Sequence, residues 1–384
     1  MVFKLLARLV VFSLLVLAPP LFGAVFQGAP LAAFIKFPPS PAAIAASGFS
    51  WTVFLGVAGI TFVALFPFAR RLADDDIHAQ TQESFRRALP WWGMLGMGVM
   101  SVAWVFAWTR FSWFRPLQGY TFTPLWLGYI LLVNALCYRR TGRCLMLDAP
   151  LFFVALFPLS AYFWWLFEYL NQFGGNWYYV DPPVITPLER FVVGSVSFST
   201  VLPAVLSTTQ WLASFLRLQR AFTGLNPLGV TPMRALITGG LFLSLLGLVM
   251  LGTHPRYAFP ALWVSPLFIV AGMSSGESDV LSRLSRGDWR PIALPALASL
   301  TCGLLWEMWN YRSLAHWEYA VPFVQRFHLF HMPLAGYAGY LPFGAVCYLF
   351  ARLFDDKARL SGVLEPRSEV YGNRSALCQR HQAK

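Results

Sequence analysis

The chain has 384 residues, 57% of them hydrophobic and 12% charged, with a mean hydropathy of +0.55. That balance excludes a water-soluble globule, because apolar stretches of about 20 residues, each enough to cross a hydrocarbon core, recur along the whole length. The formal net charge of +12 would suit a nucleic-acid binder, but the basic residues are sorted by segment as membrane topology sorts them, so no nucleic-acid partner is expected.

Ten apolar stretches are expected to span, at roughly 5–26, 50–69, 91–109, 119–138, 150–171, 186–207, 233–252, 256–275, 291–311 and 332–353. They are continuous rather than alternating, which argues helices over barrel strands. The expected fold is all-α: a polytopic bundle of about ten transmembrane helices. With the N-terminus inside, 22 of the 29 Lys and Arg fall on the cytoplasmic side and 7 on the other. This is the positive-inside pattern and sets both termini in the cytoplasm of a bacterial-type inner membrane.

In chain order, residues 1–90 hold two helices that stand apart from the rest of the chain. Lys4 and Arg8 precede the first apolar run, and Gly23-Ala24 is a poor cleavage site, so the run reads as an uncleaved helix. The segment Phe37-Pro38-Pro39-Ser40-Pro41 should be extended and outside the membrane. A charged loop after the second helix carries Asp74-Asp75-Asp76, read as a solvated turn. Residues 91–225 and 226–354 form two four-helix units, and 355–384 a basic cytoplasmic tail. The five cysteines show no metal spacing and no disulfide framework.

The two units share a motif. Glu168-x-x-Asn171, five residues, then Trp177-x-Tyr179-x-x-Pro182-x-Val184 recurs as Glu307-x-x-Asn310, six residues, then Trp317-x-Tyr319-x-x-Pro322-x-Val324. Six matched positions, with Leu125-Trp126 against Leu262-Trp263 as a weaker match, indicate an internal duplication. Four helices per unit insert both copies in the same orientation, as parallel repeats are. Ionisable groups at membrane depth are costly, so Glu168 and Glu307 are functional candidates. They read as proton donor and cation stabiliser, oriented by Asn171 and Asn310 at i+3. Trp164, Trp165 and Trp306 lie within about a turn of them. Together with Trp177, Tyr179, Trp317 and Tyr319 they would line a covered, ligand-binding cavity between the repeats. The loops after each motif are too apolar for exposed loops and should fold back over the bundle. Arg190 and Arg312 are candidate salt-bridge partners. His316, His328 and His331 fall within sixteen residues, and His328 and His331 would share a helix face toward one metal, beside Glu318.

The run from Trp177 through Pro187-Leu188-Glu189 resembles the repeated membrane domain of the heterodimeric-type lycopene cyclases over about thirty residues per copy. The resemblance implies a paired membrane bundle handling an isoprenoid, with Glu189 as a binding acid. The second copy reads Met332-Pro333-Leu334-Ala335 and lacks that carboxylate. The Trp-Glu-x-x-Asn segment also resembles bacterial polytopic membrane proteins, a likeness that implies no activity. The leading expectation is binding, and transformation, of a membrane lipid or isoprenoid. The alternatives are a proton-coupled transporter, and a non-catalytic subunit or assembly factor meeting other membrane subunits. No cofactor is indicated.

Overall fold

The computed structural model describes residues 2–39, 48–74, 87–181, 186–274, 279–355, 360, 362 and 364. Asp75 and Asp76, Pro182 and Val184, and most of the basic tail lie outside the described residues. Among the described residues, eleven helices of twelve or more residues succeed one another: α1 (Val2–Phe26), α2 (Trp51–Leu72), α3 (Trp91–Trp108), α4 (Phe122–Thr141), α5 (Pro150–Gly174), α6 (Pro187–Phe198), α7 (Val201–Ala213), α8 (Val230–Thr253), α9 (Ala261–Ser274), α10 (Arg290–Asn310) and α11 (Tyr340–Arg352). Their ends follow local chemistry. Ser50 caps α2 by accepting from the Val53 amide, α5 opens on Pro150, and Gly142 and Gly175 close α4 and α5 in the left-handed conformation.

Eight helical segments among the described residues are long and apolar enough to cross a membrane; a ninth is obtained when the 3-10 segment Ser112–Tyr120 and α4, bent by 68°, count as one. The chain is a multi-pass helical membrane protein. The remaining expected stretch, 256–275, resolves into a helical turn, Pro255–Ala258, and the 14-residue α9. Pro260 lies between them, and neither piece alone reaches the roughly 20 residues a crossing needs.

Strands also occur. β1 (Trp177–Val180) pairs antiparallel with β2 (His316–Tyr319), and β3 (His328–Leu329) with β4 (Met332–Pro333). Hence the two motif loops meet at one end of the bundle. The other end gathers arginines. There Arg283 and Arg290 both hold Asp288, at 2.9 and 2.8 Å, Arg140 donates to Ser214 Oγ at 2.9 Å, and Arg71 donates to the Thr223 carbonyl at 3.0 Å.

Some helix contacts occur in similar pairs. α3 packs on α4 as α8 packs on α9, α4 on α7 as α9 on α11, and α3 touches α10 as α5 touches α8. The rings agree: Trp126 of α4 lies 4.8 Å from Trp306 of α10, and Trp263 of α9 lies 5.9 Å from Phe167 of α5. Outside this frame, α1 is seated on α8 through Gly23 and Gly252. A Cβ at Gly252 would stand 1.9 Å from the Pro20 carbonyl oxygen, so only glycine admits this approach.

Candidate functional site

Glu168 lies in the last two turns of α5 and Glu307 in the last turn of α10, and the strand after each helix folds back over its glutamate. Glu168 is 2% exposed and Glu307 is fully buried. Glu168 Oε1 accepts from Trp164 Nε1 at 2.9 Å, Trp177 Nε1 at 3.2 Å and the Tyr179 hydroxyl at 2.5 Å. Glu307 Oε1 accepts from the Tyr319 hydroxyl at 2.6 Å and the Tyr340 hydroxyl at 2.8 Å, and Trp317 Nε1 donates to Tyr319 at 2.8 Å. Tyr179 and Tyr319 thus play one role in both copies. Burial first, then the adjacent carboxylate, pushes both phenols well above their ordinary value of 10. They therefore remain protonated donors at any physiological pH.

The third donor differs for a steric reason. Trp164 stands four residues before Glu168, and the matching position before Glu307 is Gly303. A Cβ there would come within 2.5 Å of the Tyr340 ring, so the missing side chain is the space that Tyr340 occupies. One copy supplies an indole from its own helix and the other a phenol from α11. Tyr340 is absent from the repeated motif, and sequence reasoning missed it. The signal was Gly303, facing the place of a tryptophan.

The asparagines act on the ribbon. Asn171 donates to the Trp177 carbonyl at 2.7 Å and accepts from the Asn176 and Trp177 amides at 2.8 and 3.3 Å. Asn310 repeats this, donating to the Trp317 carbonyl at 2.7 Å and accepting from its amide at 2.9 Å. Each therefore clamps the motif tryptophan of the strand that follows its helix. Neither orients its glutamate.

The ribbon joins the copies. Trp177 pairs with Tyr319, Tyr178 with Glu318 and Tyr179 with Trp317, so equivalent residues are related by a local two-fold centred on Tyr178 and Glu318. The Tyr178 hydroxyl donates to Glu318 Oε2 at 2.5 Å across that centre. That bond, with His316 3.5 Å from the other oxygen, holds the Glu318 carboxyl below its ordinary value.

Other expected site residues fall elsewhere. Glu189 is exposed and is the N3 member of a capping box, its carboxylate accepting from the Thr186 amide at 2.9 Å, so it starts α6 rather than lining a site. Trp165 turns to the opposite side of α5, with Nε1 donating to Ser195 Oγ at 2.9 Å. Arg312 lies over the Trp108 ring, and no ion pair reaches Glu168 or Glu307 among the described residues. The histidines do not form the expected helix face. Phe327 and Phe330 adopt positive φ, and His328 and His331 stand on a β-hairpin instead. His331 stacks on His316 with centroids 5.2 Å apart, while His328 meets Gln325. No group of three His, Cys, Asp or Glu able to hold a metal occurs among the described residues.

The space expected to be a cavity between the carboxylates is filled by rings. Phe343 of α11 touches Trp164 at 5.7 Å, Trp263 at 6.2 Å and Trp306 at 6.4 Å, and Trp177 meets Trp263 at 5.5 Å. Both carboxylates therefore face one aromatic wall of packed rings. Glu307 Oε2 is buried without a hydrogen-bond partner among the described residues, as are both side-chain amide atoms of Asn176. No protein-family model, curated protein or solved structure matches this chain.

Proposed function

We propose that this protein binds a lipid or isoprenoid at the aromatic wall between its two repeats, and that Glu307 is the reactive carboxyl. The observation that supports this most is Glu307 Oε2, buried and unpartnered beside Trp306, Tyr319 and Tyr340. A buried oxygen left without a donor is destabilising by about 1–3 kcal/mol, and such groups in native proteins call for a ligand or a catalytic role. Aromatic faces beside a carboxylic acid suit a cationic hydrocarbon intermediate. Protonation of an alkene by Glu307 would form a C–H bond and leave a carboxylate. The resulting cation would return a proton from an adjacent carbon to that carboxylate, so the conversion is an isomerisation or cyclisation without a redox partner. Rings must part to admit the substrate. Glu168, with three donors on one oxygen, is the positioning member of the pair.

The parallel duplication of a four-helix unit is part of this reading, supported by the repeated helix pairing and the two-fold ribbon. So is the sidedness, with the arginine-rich end and both termini cytoplasmic in a bacterial-type inner membrane.

The test uses the full chain purified in mild detergent, with lipid extraction and mass spectrometry of the same preparation. Wild type should carry an isoprenoid or lipid near one per chain, counted apart from membrane phospholipid. Glu307→Gln should lower the amount at least about tenfold, or about 1.4 kcal/mol of binding, without loss of fold. Glu168→Gln should chiefly lower the melting temperature. Equal retention by both variants, or an empty wild-type protein, would sink the proposal.

A second reading has its own support. The saturated Glu168 and the filled interior suit a non-catalytic subunit or assembly factor, which would co-purify with other membrane proteins. Proton-coupled transport is the weaker reading, since α8 runs unbroken through Gly239 and Gly240.

A further inference from the structure

An apolar groove of about 600 Å³ lies away from the carboxylates, on the outer face of α3. Its floor is Gly98, Val99 and Val102, and Phe114, Leu117 and Tyr120 of the 3-10 segment Ser112–Tyr120 wall it at the motif end. The lining on α3 extends from Leu95 to Phe106, which is about 16 Å of helix at 1.5 Å per residue. That is about half of a hydrocarbon core some 30 Å thick, the depth of one leaflet. The groove volume falls within the range of small-molecule sites, about 300–1,000 Å³.

The segment that closes the groove has the composition of a membrane interface. Trp113 is 69% exposed and Tyr120 42%, and amphipathic rings of this kind settle at the head-group level. Arg115 is the one charged residue of the segment and is exposed. The neighbouring Arg110 turns to the carbonyls of Ala107, Thr109 and Arg312 instead. An apolar slot one leaflet deep therefore ends beside a cation at head-group height.

We propose that this groove holds one membrane phospholipid, its acyl chain along Gly98, Val99 and Val102 and its phosphate on Arg115. The bilayer is the medium into which the groove opens, so the occupant is a lipid already in the membrane. Guanidinium and phosphate supply the charge complementarity. The site is separate from Glu307 and does not depend on the reading proposed for it.

Gly98 provides the decisive variant, because a Cβ built there meets nothing within 4 Å. Gly98→Phe places a ring in the groove without a clash at the backbone. Native mass spectrometry of the full chain, titrated with palmitoyl-oleoyl phosphatidylglycerol, should show one retained lipid. Its dissociation constant should rise at least tenfold in Gly98→Phe and at least threefold in Arg115→Gln. Leu151→Phe, at an 87% exposed position on α5, should leave it unchanged. Glu307→Gln should leave it unchanged too; loss of the phospholipid from that variant would place it at the carboxyl site and overturn the assignment. An unaltered dissociation constant in Gly98→Phe would also overturn it. Should that variant fail to fold, phosphatidylglycerol with a diazirine on its acyl chain settles the matter on wild type. Labelling concentrated on residues 95–106 supports the groove, and labelling spread evenly over all lipid-facing helices refutes it.

Discussion

Two residues that carry the same motif label do different work here because of what faces them. Glu168 is met by an indole from its own helix, whereas Gly303 opens the equivalent place before Glu307 to Tyr340. A methyl group at Gly303 would push that ring away, so Gly303→Ala should weaken the Tyr340–Glu307 bond and strain the α10–α11 contact. Overpacking of this kind is destabilising by about 1–3 kcal/mol. A thermal melt of the purified variant, alone and paired with Tyr340→Phe, measures it. If Tyr340 is the ring displaced, the two changes are non-additive; simple additivity would mean that the methyl group is accommodated elsewhere. The asparagines show how spacing misleads at this scale. Glu-x-x-Asn places both side chains on one helix face, but the amide's complementary donor and acceptor suit a backbone peptide, and that is what Asn171 and Asn310 hold.

Among the elements, the antiparallel ribbon joins the segments that follow α5 and α10, and its centre is titratable. Glu318 is held below the ordinary carboxyl value of 4.5 chiefly by the Tyr178 hydrogen bond. Its contribution is therefore complete above the ordinary carboxylate range and is lost as pH falls through the lowered value. His331 is depressed below 6.5, first by burial and then through His316. A histidine held neutral also stabilises the fold at higher pH and costs stability as pH falls through its lowered value. Tyr178 titrates far above this window. Both acting groups have the same sign, so the ribbon should loosen on acidification between neutrality and about pH 4. Amide exchange over residues 177–180 and 316–319, corrected for intrinsic rates, should accelerate across that interval. Glu318→Gln should remove the lower part of the change. Protection that stays flat would show that the Asn171 and Asn310 clamps alone hold the strands.

Across the whole molecule the helices are tied at one end by the ribbon and in the interior by one aromatic wall, with α1 and α2 applied from outside. Of the two, α1 is fastened by close backbone approach, and α2 has no buried side chain. Gly252→Val should therefore separate α1 from α8, because its side chain would occupy the Pro20 carbonyl. The expected readout is faster proteolysis between α1 and α2 and a clearly lower melting temperature. Gly56→Val on α2, where a Cβ meets nothing within 4 Å, should do neither. Equal behaviour of the two variants would mean that the α1–α8 contact is not needed for the fold.

Much of this was legible in the amino-acid order, for physical reasons that are local. Span length and apolar continuity decide that the chain is a helical membrane protein, and the motif of Glu, Asn, Trp and Tyr, read twice in the sequence, marks the residues that meet at the ribbon. Each of those signals belongs to one segment read alone. Pairing is not local. That the two Trp-x-Tyr strands would find each other, that Phe343 would fill the space between the carboxylates, and that Tyr340 would reach Glu307 over Gly303 depend on residues 33 to 179 positions apart. His328 and His331 show the limit most plainly, because their helical spacing fails where Phe327 and Phe330 take positive φ. The sequence by itself determined the medium, through its apolar helices, and marked the two carboxylates by the motif they share. Only the tertiary structure decided which atoms meet, because burial and donor geometry are properties of the packed whole.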